Sequence, residues 1–163
     1  MPTIETDITI ACSKWSKKTE DLAKKTLETA LKELNTGIQH IEISLLLTDD
    51  AHVQALNRDY RGKDKPTNVL SFPQFTPEEL QNEKDFVPLG DIIIAYETIE
   101  REAKEQGKSL EDHTTHMLIH SLLHLLGHDH IEDKDAQKME ALEISILQKI
   151  GIKNPYETTE NMA

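Results

Sequence analysis

The stretch HSLLHLLGHDH, His120 to His130, holds four of the chain's eight histidines among leucines. Helical residues four apart share a face, with Cβ atoms about 5–6 Å apart, so His120 and His124 point the same way. Two imidazoles so placed can bind one divalent metal. Gly127 can take the left-handed conformation that ends a helix and turns the chain. The turned chain can then carry His130 back as a third ligand. Three protein ligands leave a fourth position open, and zinc in such a site lowers the pKa of its water to about 7. His113 and His116 continue the stripe upstream. The set His116, His120 and His124 is therefore an alternative, although three ligands on one straight helix converge poorly on a tetrahedral ion. His113 and His116 are expected in the first turns of the helix, partly exposed. The expected cofactor is one zinc ion, with nickel or another divalent metal as the alternative, since imidazole suits several.

The spacing of His120, His124, Gly127 and His130 equals that of the metzincin proteases, H-E-x-x-H-x-x-G-x-x-H. Those enzymes need a glutamate after the first histidine as general base. Here Ser121 stands in its place, and a hydroxyl cannot do that work at neutral pH. The metal scaffold is present and the peptidase base is missing. A second stretch, LNRDYRGKDKPTNVLSFP from Leu56 to Pro73, sets Arg61 in a loop between Tyr60 and Pro66. A planar, multi-donor guanidinium suits phosphate oxygens and the charge of a phosphoryl transition state, and Lys63 and Lys65 add positive charge.

Those residues need elements to position them. Ile4, Thr6, Ile8 and Ile10 alternate as in a strand, and Ala23, Leu27, Ala30, Leu31 and Leu34 have helical spacing. HIEISLLL (His40 to Leu47) predicts a second strand, followed by a short helix capped by Thr48, Asp49 or Asp50 and burying Val53, Leu56 and Tyr60. NVLSF predicts a third strand, and Pro73 to Gly90 a long polar loop. DIIIAY (Asp91 to Tyr96) predicts a strand covered on both faces. Three helices follow: one to Gln106, one started by Ser109 and ended by Gly127, and one over about Asp133 to Ile150 with Met139, Leu142, Ile146 and Ile150 on one face. The expected fold is α+β, a small mixed sheet of about four strands packed against about five helices. One domain is expected over residues 1–153, with a flexible tail over 154–163.

Composition bounds the function. The 163 residues carry a formal net charge of −12, which argues against non-specific binding to nucleic acid. Local basic stretches remain, Lys14 to Lys25 and Arg58 to Lys65. Cys12 stands alone, so no internal disulfide forms. The apolar runs are far shorter than the roughly 20 residues of a membrane span, and the start lacks the pattern of a signal peptide. A reduced, cytoplasmic protein with no membrane partner is expected.

Together the histidine and arginine stretches resemble the bacterial YbeY family, the zincin-like rRNA maturation factors also described as endoribonucleases. The family pattern H-G-x-L-H-L-x-G-Y-D-H is matched by His120, His124, Leu125, Gly127, Asp129 and His130. An upstream L-N-x-x-Y-R core leading to P-T-D-V-L-S-F-P is matched at Leu56-Asn57, Tyr60-Arg61 and Pro66 to Pro73, and LGDI at Leu89 to Ile92. The resemblance implies a zincin-like metal-binding helix and zinc on His120, His124 and His130. It implies Arg61 as the catalytic residue linked to RNA processing. It also implies work on ribosomal RNA, including the 16S 3′ end, with ribosome quality control and the ribosome or its associated proteins as partners. Three positions depart from the pattern: Ser121 for Gly, His128 for Tyr and Asn68 for Asp. His128 brings a fourth imidazole near the expected site. Two rivals stay open, a metallohydrolase of another substrate class and a non-catalytic ribosome-associated protein with a structural zinc. Oligomeric state is unknown at this stage.

Overall fold

A computed structural model describes residues 3–128 and 132–156. Ten elements run in the order β1 (Thr3–Ile10), α1 (Lys18–Leu34), β2 (His40–Thr48), α2 (Asp50–Arg61), β3 (Val69–Pro73), α3 (Pro77–Asn82), β4 (Phe86–Ala95), α4 (Tyr96–Gln106), α5 (Leu110–Leu125) and α6 (Asp133–Ile150). The strands form one mixed sheet in the order β1-β2-β4-β3. β1, β2 and β4 are parallel and β3 is antiparallel to β4. This is the expected α+β architecture, with the short α3 as a sixth helix.

Strand alternation sorts the sheet into two faces. Ile41, Ile43, Leu45, Leu47, Val87, Leu89, Ile92 and Ile94 join the main core with residues of α1, α5 and α6. Their neighbours Ile93 and Ala95 face the other way and join Val53 of α2 and Leu70 in a second, smaller core, with Leu46, Leu56 and Phe72 packed against it. β4 is thus buried on both sides, which is why its run of isoleucines does not alternate with polar residues. α2 covers only part of the outer face. Glu5 and Asp7 on β1 and Ser44 on β2 lie exposed beyond it.

The stretch from Pro73 to Gly90 is more ordered than its polar composition suggested. Thr76 and Glu79 form a reciprocal capping box that starts α3, with Pro77 in the first turn. Phe86 to Gly90 already belong to β4. The loop expectation fails because a six-residue helix is too short to show a period, and a local cap sets it instead. Gly90 sits at φ 143°, and a Cβ there would meet the carbonyl oxygen of Phe72 and the Leu125 side chain. Only glycine lets β3 and the end of α5 approach at this point.

Candidate metal centre

α5 is the helix that carries His113, His116, His120 and His124. The Ser109 hydroxyl accepts from Asp112 N at 3.1 Å and caps its start. At its end Gly127 N donates to His124 O and His128 N to Leu123 O, both at 3.0 Å. This pair of bonds is a Schellman turn, with Gly127 at φ 98° and pressed against Pro77. The helix is buried nearly all round because it runs between the sheet, α1, α4 and α6. Ser121, fully buried, shares a hydrogen bond with Ser71 of β3, which ties the middle of the helix to the edge of the sheet.

His120 and His124 meet as the four-residue spacing predicts. Their Nε2 atoms lie 3.2 Å apart. Two nitrogens each about 2.0–2.1 Å from one tetrahedral ion lie about 3.3 Å apart, so the two imidazoles fit a shared metal without rearrangement. His120 Nδ1 is 2.5 Å from Glu143 Oε1 on α6. A carboxylate behind a ligating imidazole is the usual support of such a site. Asp129 and His130, the latter the expected third ligand, lie outside the described residues. His128 borders a groove with Leu34, Pro77, Leu80 and Leu126.

The upstream histidines differ from expectation. His113 and His116 are 2% and 7% exposed, not partly exposed, because α4 and α6 pack over the first turns of α5. His116 Nε2 lies 3.4 Å from Glu143 Oε2. Burial holds His116 below the usual imidazole range despite the opposing hydrogen bond and charge of Glu143. Its Nδ1 is a buried atom without a hydrogen-bond partner among the described residues. His113 Nε2 is 2.8 Å from Glu102 Oε1, and Glu102 also accepts from Asn68 Nδ2 at 3.1 Å. The departure at Asn68 therefore supplies a donor that links the end of the arginine loop to α4 and α5.

Glu143 was not foreseen, although its place on the apolar stripe of α6, between Met139 and Ile146, was a visible signal. It is fully buried. Burial by itself raises its pKa, but hydrogen bonds from His116, His120 and Tyr156 outweigh this and lower it to about 2. Tyr156, in the stretch taken as tail, donates its hydroxyl to Glu143 Oε2 and stands edge-on to His116. Burial and that hydrogen bond raise the tyrosine's own pKa.

Arg61 is the exposed last residue of α2. α2 packs on the outer face of β3 and β4, whereas α5 packs on the inner face of the same strands. The edge strand β3 is thus the element that the arginine helix and the histidine helix share, from opposite sides. Tyr60, 71% exposed, meets Phe72 of β3 edge-on beside Arg61.

Among the described residues, three metal-ligating groups also converge at Glu5, His40 and Glu42, with atoms within 4.8 Å of one another. Glu5 and Glu42 are register partners on β1 and β2, and His40 lies beside both with its ring stacked on Phe86. This cluster lies on the outer face, away from α5.

The sequence model of the family described as Endoribonuclease YbeY matches residues 6–151. A relative named Endoribonuclease YbeY from Paramagnetospirillum magneticum is 43% identical, covering 94% of this chain and 96% of its own. One of the same name from a Bradyrhizobium species is 41% identical over 99% and 96%. The solution structure of a Thermotoga maritima protein is 26% identical with a TM-score of 0.58, covering 94% of this chain and 97% of that one.

Proposed function

The chain belongs to the YbeY endoribonuclease family, and we propose that it is a metal-dependent endoribonuclease. Its substrate is single-stranded ribosomal RNA during maturation, including the 16S 3′ end, and during ribosome quality control. The observation that carries this reading is the 3.2 Å approach of His120 Nε2 and His124 Nε2, a separation matched to one tetrahedral ion. His120, His124 and His130 would hold the ion, and zinc is the metal we assign, since a set of imidazoles suits it. When bound, such an ion supplies Lewis acidity toward a phosphodiester and an acidified water.

The protein's own groups do the rest. Arg61 offers a fork of donors to the non-bridging oxygens of the scissile phosphate and offsets the negative charge that grows there. Lys63 and Lys65 hold the neighbouring backbone. Tyr60 offers an exposed ring on which a base can stack. Ser121, tied to Ser71, takes no part as a base.

The net charge of −12 makes affinity for bare RNA weak and assigns delivery to the ribosome or an associated protein in the cytoplasm. No helix among the described residues is long and apolar enough to cross a membrane. Single-turnover cleavage of an rRNA precursor tests the reading. Folded His124→Ala and Arg61→Ala proteins are expected to cleave at least about 100-fold more slowly, in line with loss of a charge-stabilising group. Wild-type rates in both would overturn it.

A further inference from the structure

His120 turns Nε2 toward His124 and Nδ1 toward a carboxylate in an unusual place. Glu143 occupies a position on α6 where Met139, Ile146 and Leu147 show that an apolar residue would pack. A fully buried carboxylate persists only where its charge and both oxygens are matched. Here the two oxygens are divided. Oε1 faces His120 Nδ1 at 2.5 Å, while Oε2 faces His116 Nε2 at 3.4 Å and accepts from the Tyr156 hydroxyl. The three groups come from two turns of α5 and from the segment after α6, so they fix the carboxylate from three sides.

An ionised carboxylate only accepts hydrogen bonds. His120 must therefore place its proton on Nδ1, and a neutral imidazole then has its lone pair on Nε2, the atom directed at His124. Without a partner at Nδ1 the ring could carry its proton on either nitrogen and could rotate. We propose that Glu143 is a positioning residue for the metal centre. It selects the Nδ1–H tautomer of His120 and holds the ring so that Nε2 meets Nε2 of His124, while His116 and Tyr156 hold the carboxylate itself. This role rests on the metal reading above.

Two measurements on the full chain test it. Long-range ¹H–¹⁵N spectra of the metal-free, histidine-labelled wild-type protein, with His120→Ala for assignment, report which nitrogen of His120 is protonated. Protonation at Nδ1 is expected, and protonation at Nε2 overturns the proposal without any variant having to fold. Zinc affinity is then read by competition with a chromophoric chelator. Glu143→Gln keeps an acceptor but loses the charge, and is expected to weaken zinc about 10- to 100-fold, the usual effect of losing a supporting carboxylate. An affinity of Glu143→Gln within twofold of wild type overturns the role of Glu143 alone. Failure of the wild-type protein to bind zinc overturns the metal reading and this role together.

Discussion

Of the three histidine–carboxylate contacts on α5, those of His113 and His120 lie two turns apart and are opposite in geometry. His113 meets Glu102 through Nε2, at 2.8 Å, while its Nδ1 is a buried atom with no hydrogen-bond partner among the described residues. His120 meets Glu143 through Nδ1, at 2.5 Å, and its Nε2 faces His124. Both look alike as residue types on a stripe. They differ in which nitrogen the carboxylate takes. Where it takes Nε2, the outer end of the ring is spent on holding helices together. Where it takes Nδ1, the outer end is turned toward His124. Glu102, one quarter exposed, also ties Asn68 to the helix bundle, whereas Glu143 is shared by His116, His120 and Tyr156.

If this contrast is correct, removing the two carboxylates should differ in cost. Glu143→Ala leaves two imidazoles and a phenol without their buried acceptor and is expected to lose about 3–5 kcal/mol in urea unfolding. Glu102→Ala, at a partly solvated site, is expected to lose about 1–2 kcal/mol. Equal losses would erase the distinction.

The histidines themselves should separate by metal binding. His120→Ala is expected to weaken zinc at least about 100-fold, or roughly 2.7 kcal/mol, in chelator competition. His113→Ala should leave zinc within about threefold while lowering the melting temperature. A large zinc defect in the His113 variant would show that both pairs serve the ion.

Acid titration of the metal-free protein sharpens the same contrast. The pKa of Glu143 is lowered from its ordinary 4.5 to about 2 on folding. A depressed carboxylate contributes stability that is full above 4.5 and is lost as pH falls from 4.5 toward 2. Urea midpoints should therefore fall over that window, and more gently in Glu143→Gln. A wild-type slope in the variant would remove Glu143 from the account.

The smallest effect concerns the hydroxyl strut next to His120. Ser121→Ala leaves Ser71 unpaired and is expected to cost about 1 kcal/mol, whereas replacing both serines by alanine should be closer to neutral. Additive losses would show that the two hydroxyls do not depend on each other.

Much of this was legible in the residues. Period-two and helical patterns placed the four strands and five of the six helices, and the histidine spacing placed the Nε2 pair. Ser109 and Gly127 marked the ends of α5 as their types suggest. What was not legible came from elements far apart in the chain. The burial of His113 and His116 depends on α4 and α6 closing over α5, which no local pattern reports. Glu143 was visible as a carboxylate on an apolar stripe, but its partners lie 23 and 27 residues upstream. Tyr156 follows a helix-ending glycine and a proline, signals that point to a tail and say nothing of a hydroxyl folding back.

The open side of the sheet has a consequence for how copies of the protein meet one another. β1 is an edge strand, and a parallel edge offers unpaired backbone groups to any passing strand. Glu5 and Asp7 stand exposed along it, with Glu42 beside Glu5 on β2. A second copy docking edge to edge would bring these carboxylates into register with their own images, and like charges directly opposite are unfavourable. Carboxylates so placed disfavour edge-to-edge pairing of copies through β1.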